Sequence, residues 1–315
     1  MSDLAIGAPR RRPRFARADT APAFQITDRD TEIVRQVARH RFLRSTHVSQ
    51  LVDAPHKKIL ERLSPLYHAG YLDRPRAQLE YHVRGGGSAP LVYALGNRGA
   101  QLLFARDGHD KTNIDWTHKN RETGREFILH TLAIADVSVA LSVACRGRDA
   151  IALQGADQLL QSAPPETRSA LKPWAWRVQV QHTGEFANIG ILPDHVFALI
   201  LPDGRRRAFF VECDRGTMPV ERSTLGQTSM LRKFLAYEGT RKQGLHAQRF
   251  GWKAFRTLIV TTNEERAANM RALIARTPAL NGSPLFLFAD HAMLMGSDIL
   301  AHEWSDASGK PHTLL

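Results

Sequence analysis

Residues 192–217 read LPDHVFALILPDGRRRAFFVECDRGT and contain the clearest pattern in the chain. Apolar runs lie on either side of Asp203-Gly204, a turn signal, so the stretch predicts a β-hairpin. Asp194 stands at the start of the first strand and Glu212 at the end of the returning strand. Because antiparallel pairing aligns these positions, we expect both carboxylates at the same end of a sheet.

A third carboxylate follows closely. Asp214 lies two residues beyond Glu212, so the two side chains share a face by the strand period. Carboxylate oxygens suit Mg²⁺ or Mn²⁺, and such a metal activates water against a phosphodiester. The candidate metal ligands are therefore Asp194, Glu212 and Asp214.

On both sides of this hairpin, strands alternate with helices from residue 122 onward. This alternation predicts an α/β domain with a sheet of mixed direction, because the hairpin is antiparallel. The predicted strands are 176–180, 195–201, 208–212, 255–261 and 285–288, and the predicted helices are 122–146, 223–237 and 263–275.

The N-terminal third has a different pattern. Thr27 is a candidate cap for a helix over 28–40, and Ser45 or Thr46 for a short second helix. A third helix, 56–68, follows Pro55 and is ended by Gly70, so the three predict a helix-turn-helix. Strands predicted at 71–72, 79–83 and 91–95, with a glycine-rich tip at 84–90 and a closing helix from 97, extend it to a winged helix.

Positive charge is concentrated in the same region. The chain has a net charge of +12, and its first 110 residues contain 18 basic against 11 acidic side chains. Such an excess attracts polyanions, although it also serves solubility, and winged helices also act as protein interaction modules. The third helix would lie in the major groove and the wing on the adjacent backbone. The candidate DNA contacts are Arg10, Arg11, Arg12, Lys57, Lys58, Arg62, Arg74, Arg76 and Arg84.

These patterns predict a basic flexible arm at 1–24, a winged helix at 25–106, a linker at 107–121 and the α/β domain at 122–315. Two distant cysteines, Cys145 and Cys213, support neither a disulfide framework nor a zinc site. No unbroken apolar run reaches the roughly 18 residues of a membrane span, and no signal peptide pattern is present. We expect a cytoplasmic protein without a membrane partner.

Asp194 followed by Glu212-x-Asp214 resembles the signature of the PD-(D/E)XK nuclease fold, which normally has Lys where Asp214 stands. The resemblance implies a restriction-endonuclease-like domain. In divergent relatives of that fold a displaced lysine replaces the missing one, so Lys233 on the following helix is the candidate catalytic cation beside Asp194 and Glu212, with Arg215 as an alternative.

The whole order of features, from the winged helix through the Trp176 strand, is similar to the replication-relaxation family over about residues 25–290. The most specific part is 210–217, FVECDRGT, ahead of a helix with Lys233 and Tyr237. The family occurs on plasmids and other mobile elements. The resemblance implies a link to plasmid replication and DNA relaxation.

The predicted function is that of a DNA-binding accessory or regulatory protein of a plasmid or mobile element, with double-stranded DNA as its partner. One alternative is a Mg²⁺- or Mn²⁺-dependent nuclease or nickase that uses Asp194, Glu212 and Asp214, and another is a transcriptional regulator with a catalytically dead nuclease-like domain. No cofactor is assigned outside the nuclease alternative. A homodimer and a partner relaxase or replication protein stay open.

Overall fold

A computed structural model describes residues 13–79, 89–108 and 111–315 of the chain. Helices and sheets are mixed throughout, which confirms the α/β class. The chain divides into two compact units, an N-terminal unit of residues 1–135 and a C-terminal unit, Asp136–Leu315. It passes from one to the other within a single helix.

The N-terminal unit combines short helices with a three-stranded antiparallel sheet in the order β1-β3-β2. The predicted helices 28–40 and 56–68 are confirmed at both ends, whereas β1 was not predicted. Its elements are α1 Asp28–His40, β1 Phe42–Arg44, α2 Ser45–Val52, α3 His56–His68, β2 Leu72–Asp73, a 3-10 turn Arg76–Gln78, β3 Val92–Leu95, α4 Asn97–Asp107, α5 Trp116–Arg121 and the start of α6 Arg125–Arg146.

Helix α1 begins where its sequence predicts. Thr27 and Asp30 form a reciprocal capping box, which satisfies backbone N–H groups that have no partner inside the helix. Helix α2 differs from the prediction, because Arg44 rather than Ser45 or Thr46 occupies the cap position. The Ser45 N–H instead donates to Leu91 O at 2.9 Å, so the strand end determines where α2 begins.

Residues predicted as arm and linker are partly folded onto the N-terminal unit. Arg17 of the predicted arm forms an ion pair with Asp73 at 3.0 Å. The predicted linker contains α5, whose Trp116 is buried. Asn120 accepts from Arg41 at 2.6 Å and donates to the Leu95 carbonyl at 2.9 Å.

The C-terminal unit contains a seven-stranded mixed sheet in the order β12-β11-β10-β9-β8-β7-β4, in which β8, β9 and β10 are parallel to one another. Strands β5 and β6 form a separate hairpin. The elements are β4 Ala152–Gly155, α7 Ala156–Gln161, α8 Pro165–Arg168, β5 Trp176–His182, β6 Glu185–Ile191, β7 His195–Ile200, β8 Arg206–Cys213, α9 Met230–Lys242, α10 Leu245–Phe250, β9 Phe255–Thr261, α11 Glu264–Arg276, β10 Phe286–Asp290, α12 His291–Met295, β11 Trp304–Asp306 and β12 Pro311–His312.

All five predicted strands of this unit are present, and the predicted antiparallel hairpin is β7–β8. Helix α9 begins at Met230 rather than at 223, because the Ser229 side chain caps it. Its apolar face packs with Trp176 and Phe210 in a fully buried core. The indole N–H of Trp176 donates to Thr240 Oγ1 at 2.9 Å, so the hairpin β5–β6 is tied to α9.

Helix α6 is, within the described ranges, the one helix long and apolar enough to cross a membrane by length and composition. Counting unbroken apolar runs overlooked it, since polar residues interrupt the pattern. Its side chains Ile128, Leu132, Val137 and Leu141 are at most 3% exposed. Over the most apolar 18 residues of α6, 39% are buried.

Candidate functional site

The β7–β8 hairpin brings two carboxylates to one end of the large sheet, as predicted. His195 pairs with Val211, so Asp194 lies beside the end of β8. The Asp194 N–H donates to Val211 O at 3.1 Å, and the Cys213 N–H donates to Asp194 Oδ2 at 2.8 Å. Glu212 lies between these two backbone contacts, so strand pairing itself fixes the relative position of the acids.

Glu212 is bound through both carboxylate oxygens in the interior of the unit. Its side chain is 2% exposed, and Lys233 Nζ donates to Oε2. Tyr237 Oη donates to Oε1 at 2.5 Å. Lys233 and Tyr237 are four residues apart on α9, so they lie on one helix face and reach the same acid. Lys233 is therefore the cation that the structure brings to Glu212.

Burial and neighbouring charges shift the pKa values of Glu212 and Lys233. Loss of solvent raises the pKa of Glu212 to about 7, with Lys233 opposing the rise and Asp194 adding to it. Burial lowers the pKa of Lys233, but the charges of Glu212 and Asp194 outweigh it and the net pKa is raised. A carboxylate that titrates near neutral pH can exchange a proton under physiological conditions.

A small cavity of about 110 Å³ opens beside this cluster. Glu212, Lys233 and Tyr237 line it together with Ser229 and Arg232. Binding pockets for drug-sized ligands occupy roughly 300–1,000 Å³, so this cavity admits water or a small ion and excludes a nucleotide.

Asp214 does not join the other two carboxylates. Its side chain is 2% exposed, and Arg266 binds both of its oxygens. Thr261 Oγ1 donates to Oδ2 at 2.7 Å. Asp214 is thus half of a buried ion pair between the end of β8 and α11, a role that its sequence position did not indicate.

The predicted metal site is not assembled. Over residues 13–79, 89–108 and 111–315, no group of three or more His, Cys, Asp or Glu side chains is placed to hold a metal ion. Both oxygens of Glu212 and both of Asp214 already accept from protein donors. The residues present therefore do not fit the Mg²⁺ or Mn²⁺ that the motif predicted.

Three of the predicted DNA contacts are exposed on the N-terminal unit. Lys57 and Lys58 lie in the first turn of α3, and Lys58 has an ion pair with Glu61 at 3.2 Å. Arg76 lies in the 3-10 turn after β2. Arg10, Arg11, Arg12 and Arg84, like most of the predicted wing, lie outside the described residues.

Two other predicted contacts are engaged within the unit. Arg62 donates to Asp30 Oδ1 at 2.8 Å, and the Asp30 side chain is fully buried. Arg74 lies over the Tyr67 ring at 4.0 Å and donates to Tyr93 Oη at 3.2 Å. Both guanidinium groups stabilise packing, and their contact with DNA stays a prediction.

A single family model matches residues of both units. Residues 34–252, more than two thirds of the chain, match the family described as Replication-relaxation. The chain belongs to the replication-relaxation family. The family suggests a role in replication or relaxation of a plasmid or mobile element. Neither the curated proteins nor the solved structures gave a significant match.

The replication-relaxation match contains the exposed Lys57 and Lys58 as well as Asp194, Glu212 and Lys233. It ends at Trp252, before β9. Sequence reasoning missed the partner of Asp214, because Arg266 lies 52 residues further along the chain and no short spacing links them.

Proposed function

We propose that this member of the replication-relaxation family is a DNA-binding accessory or regulatory protein, and that its N-terminal unit binds duplex DNA as a winged helix. The observation that carries the proposal is the topology of that unit. The order α1-β1-α2-α3-β2-β3, with β3 between β1 and β2, is the arrangement expected of a winged helix.

The surface of α3 supports the same proposal. Its buried face consists of Ile59, Leu63 and Leu66, all 0% exposed, so the opposite face is free to meet a ligand. Lys57 and Lys58 project from that opposite face at the start of the helix. In helix-turn-helix proteins the first residues of the recognition helix contact the DNA.

Removal of the exposed cations should weaken DNA binding. In a Lys57→Ala, Lys58→Ala, Arg76→Ala variant we expect about tenfold weaker binding to a duplex at 150 mM salt. Each lost phosphate contact lowers the slope of log affinity against log salt by about 0.9, so the slope should fall by up to about 3. Fluorescence anisotropy with a labelled duplex, over a salt series, measures both quantities.

Arg106→Ala, Arg121→Ala is the matched control, because both side chains are exposed cations of the same unit on α4 and α5. We expect nearly wild-type affinity and slope from it. Equal losses per cation removed in the control and the triple variant would indicate a non-specific charge effect, and unchanged binding by the triple variant would remove both α3 and Arg76 from the interface.

DNA cleavage is the second candidate function. The contact between Lys233 and Glu212, next to Asp194 and a small cavity, favours it. We place it second because the carboxylate oxygens do not fit a metal in this arrangement.

Supercoiled plasmid DNA decides between the two functions. We expect the wild-type protein and an Asp194→Ala, Glu212→Ala variant to leave the same topoisomer and nicked-circle pattern with Mg²⁺, Mn²⁺ or EDTA. Nicking by the wild-type protein that needs Mg²⁺ or Mn²⁺ and disappears in the variant would establish the nuclease instead. A footprint over a palindromic site without cleavage would favour the transcriptional regulator.

A further inference from the structure

The C-terminal unit has a large groove at the end of its sheet opposite Glu212. Strands β8, β9 and β10 are parallel, so their first residues, Arg206, Phe255 and Phe286, lie at one end of the sheet. Glu212 lies near the other end. The groove lies at the end of the sheet where these strands start, has a volume of about 1430 Å³ and is open to solvent. It will be called the basic groove.

Cations dominate the lining of the basic groove. Among the described residues that line it, six are Lys or Arg and one, Asp203, is acidic. Asp203 pairs with Arg205 at 2.5 Å, and Arg241 pairs with Glu238 at 2.6 Å. The four cations that remain are Arg206, Arg207, Lys253 and Arg256.

None of these four cations forms an ion pair within the described part of the chain. Arg207 Nη1 donates to the Leu314 carbonyl at 3.2 Å, and the side chains of Arg206, Lys253 and Arg256 have neither a hydrogen bond nor an ion pair there. Asp306, whose charge acts on Arg256, is hydrogen-bonded to His312 Nε2 at 2.9 Å.

Strand register places two of the cations on the same face of the sheet. Arg256 of β9 pairs with Phe209 of β8, and Arg207 lies two residues before Phe209, so both guanidinium stems project from the same face of the sheet. Burial lowers the pKa of Arg256 and the charge of Arg207 lowers it further, while the charge of Asp306 opposes the fall.

The chemistry of the lining identifies the anion. The aromatic rings Phe209, Trp252 and Phe255 are 2–5% exposed, so they offer no surface on which a base could stack. Guanidinium and ammonium groups without ion pairs along an open groove instead suit the phosphates of a nucleic-acid backbone.

We propose that the basic groove is a second DNA-binding site, which contacts the phosphate backbone without reading sequence. The site is separate from α3, and Lys253 and Arg256 lie beyond the stretch that matches the replication-relaxation family. It gives the C-terminal unit a role on DNA that needs neither a metal nor the Glu212 cluster.

The test measures DNA binding by the full chain in which Lys57, Lys58 and Arg76 are already alanine, so that α3 contributes little. Into this background we introduce Arg206→Ser, Lys253→Ser, and separately Arg256→Met. With a labelled 20-base-pair duplex and its single strand, we expect about fivefold weaker binding from the double change and a salt slope lower by about 2 on the duplex.

The matched control is Arg168→Ser, Lys172→Ser, which removes two exposed cations of the same unit that do not line the groove. We expect its affinity to equal that of the background. For Arg256→Met we expect weaker DNA binding with no loss in the urea midpoint, because Arg256 forms no ion pair in the described part of the chain and methionine keeps the aliphatic stem.

Equal affinity in the groove variants, the control and the background would overturn the proposal. So would a lower urea midpoint in Arg256→Met with unchanged DNA binding, since Arg256 would then serve only packing. Failure of α3 to bind DNA leaves this outcome unaffected, because the α3 cations are absent from every protein compared.

Discussion

Replacement of Arg62 by alanine should lower the free energy of unfolding of the N-terminal unit by about 2–3 kcal/mol, less than for a fully buried pair because the Arg62 side chain is 29% exposed. The Asp30 side chain is 0% exposed, and Arg62 is its ion-pair partner. The variant leaves a buried carboxylate without its charge partner, although the Thr27 backbone N–H still donates to it at 2.8 Å. Arg62 also donates to the Gln25 carbonyl at 2.9 Å, so the chain entering α1 loses a contact as well.

Urea unfolding with hydrogen exchange at the α1 amides measures this loss. Lys57 lies in the same helix as Arg62, and its side chain is exposed. Lys57→Ala should therefore change the free energy of unfolding by less than about 0.5 kcal/mol. An Asp30→Asn, Arg62→Met double variant should be more stable than Arg62→Ala, because no uncompensated charge is buried. A loss below 1 kcal/mol in Arg62→Ala would contradict the structural role.

This prediction also bears on how DNA-binding data are interpreted. Arg62 lies one helical turn after Lys58 on α3. The sequence alone predicted that both residues contact DNA. A variant that includes Arg62→Ala would lose binding through unfolding as readily as through a lost contact. The DNA-binding test therefore leaves Arg62 unchanged and replaces Arg76 of the 3-10 turn together with Lys57 and Lys58.

Local signals predicted most of the N-terminal helices. The capping residues Thr27 and Asp30, and Gly70 with its φ of +85°, are chemical features of single turns, so they can be recognised without tertiary information. Strand β1 is three residues long and forms only through its pairing with β3, which lies 50 residues further on. No local period marks so short a strand.

The two sites of the C-terminal unit differ in the same way. A hairpin determines the position of Asp194 beside Glu212, so the turn at Asp203-Gly204 was enough to predict it. The basic groove depends on parallel pairing between β8 and β9, which places Arg207 and Arg256 on one face of the sheet although 49 residues of sequence separate them. Parallel register cannot be read from a turn, and those cations were not predicted as a group.

Substitution of Glu212 by glutamine should remove a pH dependence from the stability of the C-terminal unit. Burial raises the pKa of Glu212 to about 7 in the folded protein, against 4.5 for a glutamate exposed to solvent in the unfolded chain. The folded state therefore holds a proton that the unfolded state has released between these values. The stabilisation is complete below pH 4.5 and is lost as the pH rises through 7.

The size of the effect follows from the two pKa values. Between pH 5 and pH 8 the wild-type protein should lose about 2.5 kcal/mol more stability than Glu212→Gln, at 1.36 kcal/mol for each unit of pKa difference. Glutamine keeps the shape of the side chain and can still accept from Lys233. Groups distant from Glu212 titrate equally in both proteins, so the comparison isolates Glu212 and the groups coupled to it, Asp194, Lys233 and Tyr237.

Urea titrations at pH 5, 6, 7 and 8, followed by tryptophan fluorescence, measure the difference, since Trp174, Trp176, Trp252 and Trp304 all lie in the C-terminal unit. Glu166→Gln, an exposed position of the same unit, should retain the wild-type pH dependence. Parallel pH profiles for wild type and Glu212→Gln would mean that Glu212 stays ionised throughout. The ion pair with Lys233 would then outweigh burial, and the cluster could not exchange a proton near neutral pH.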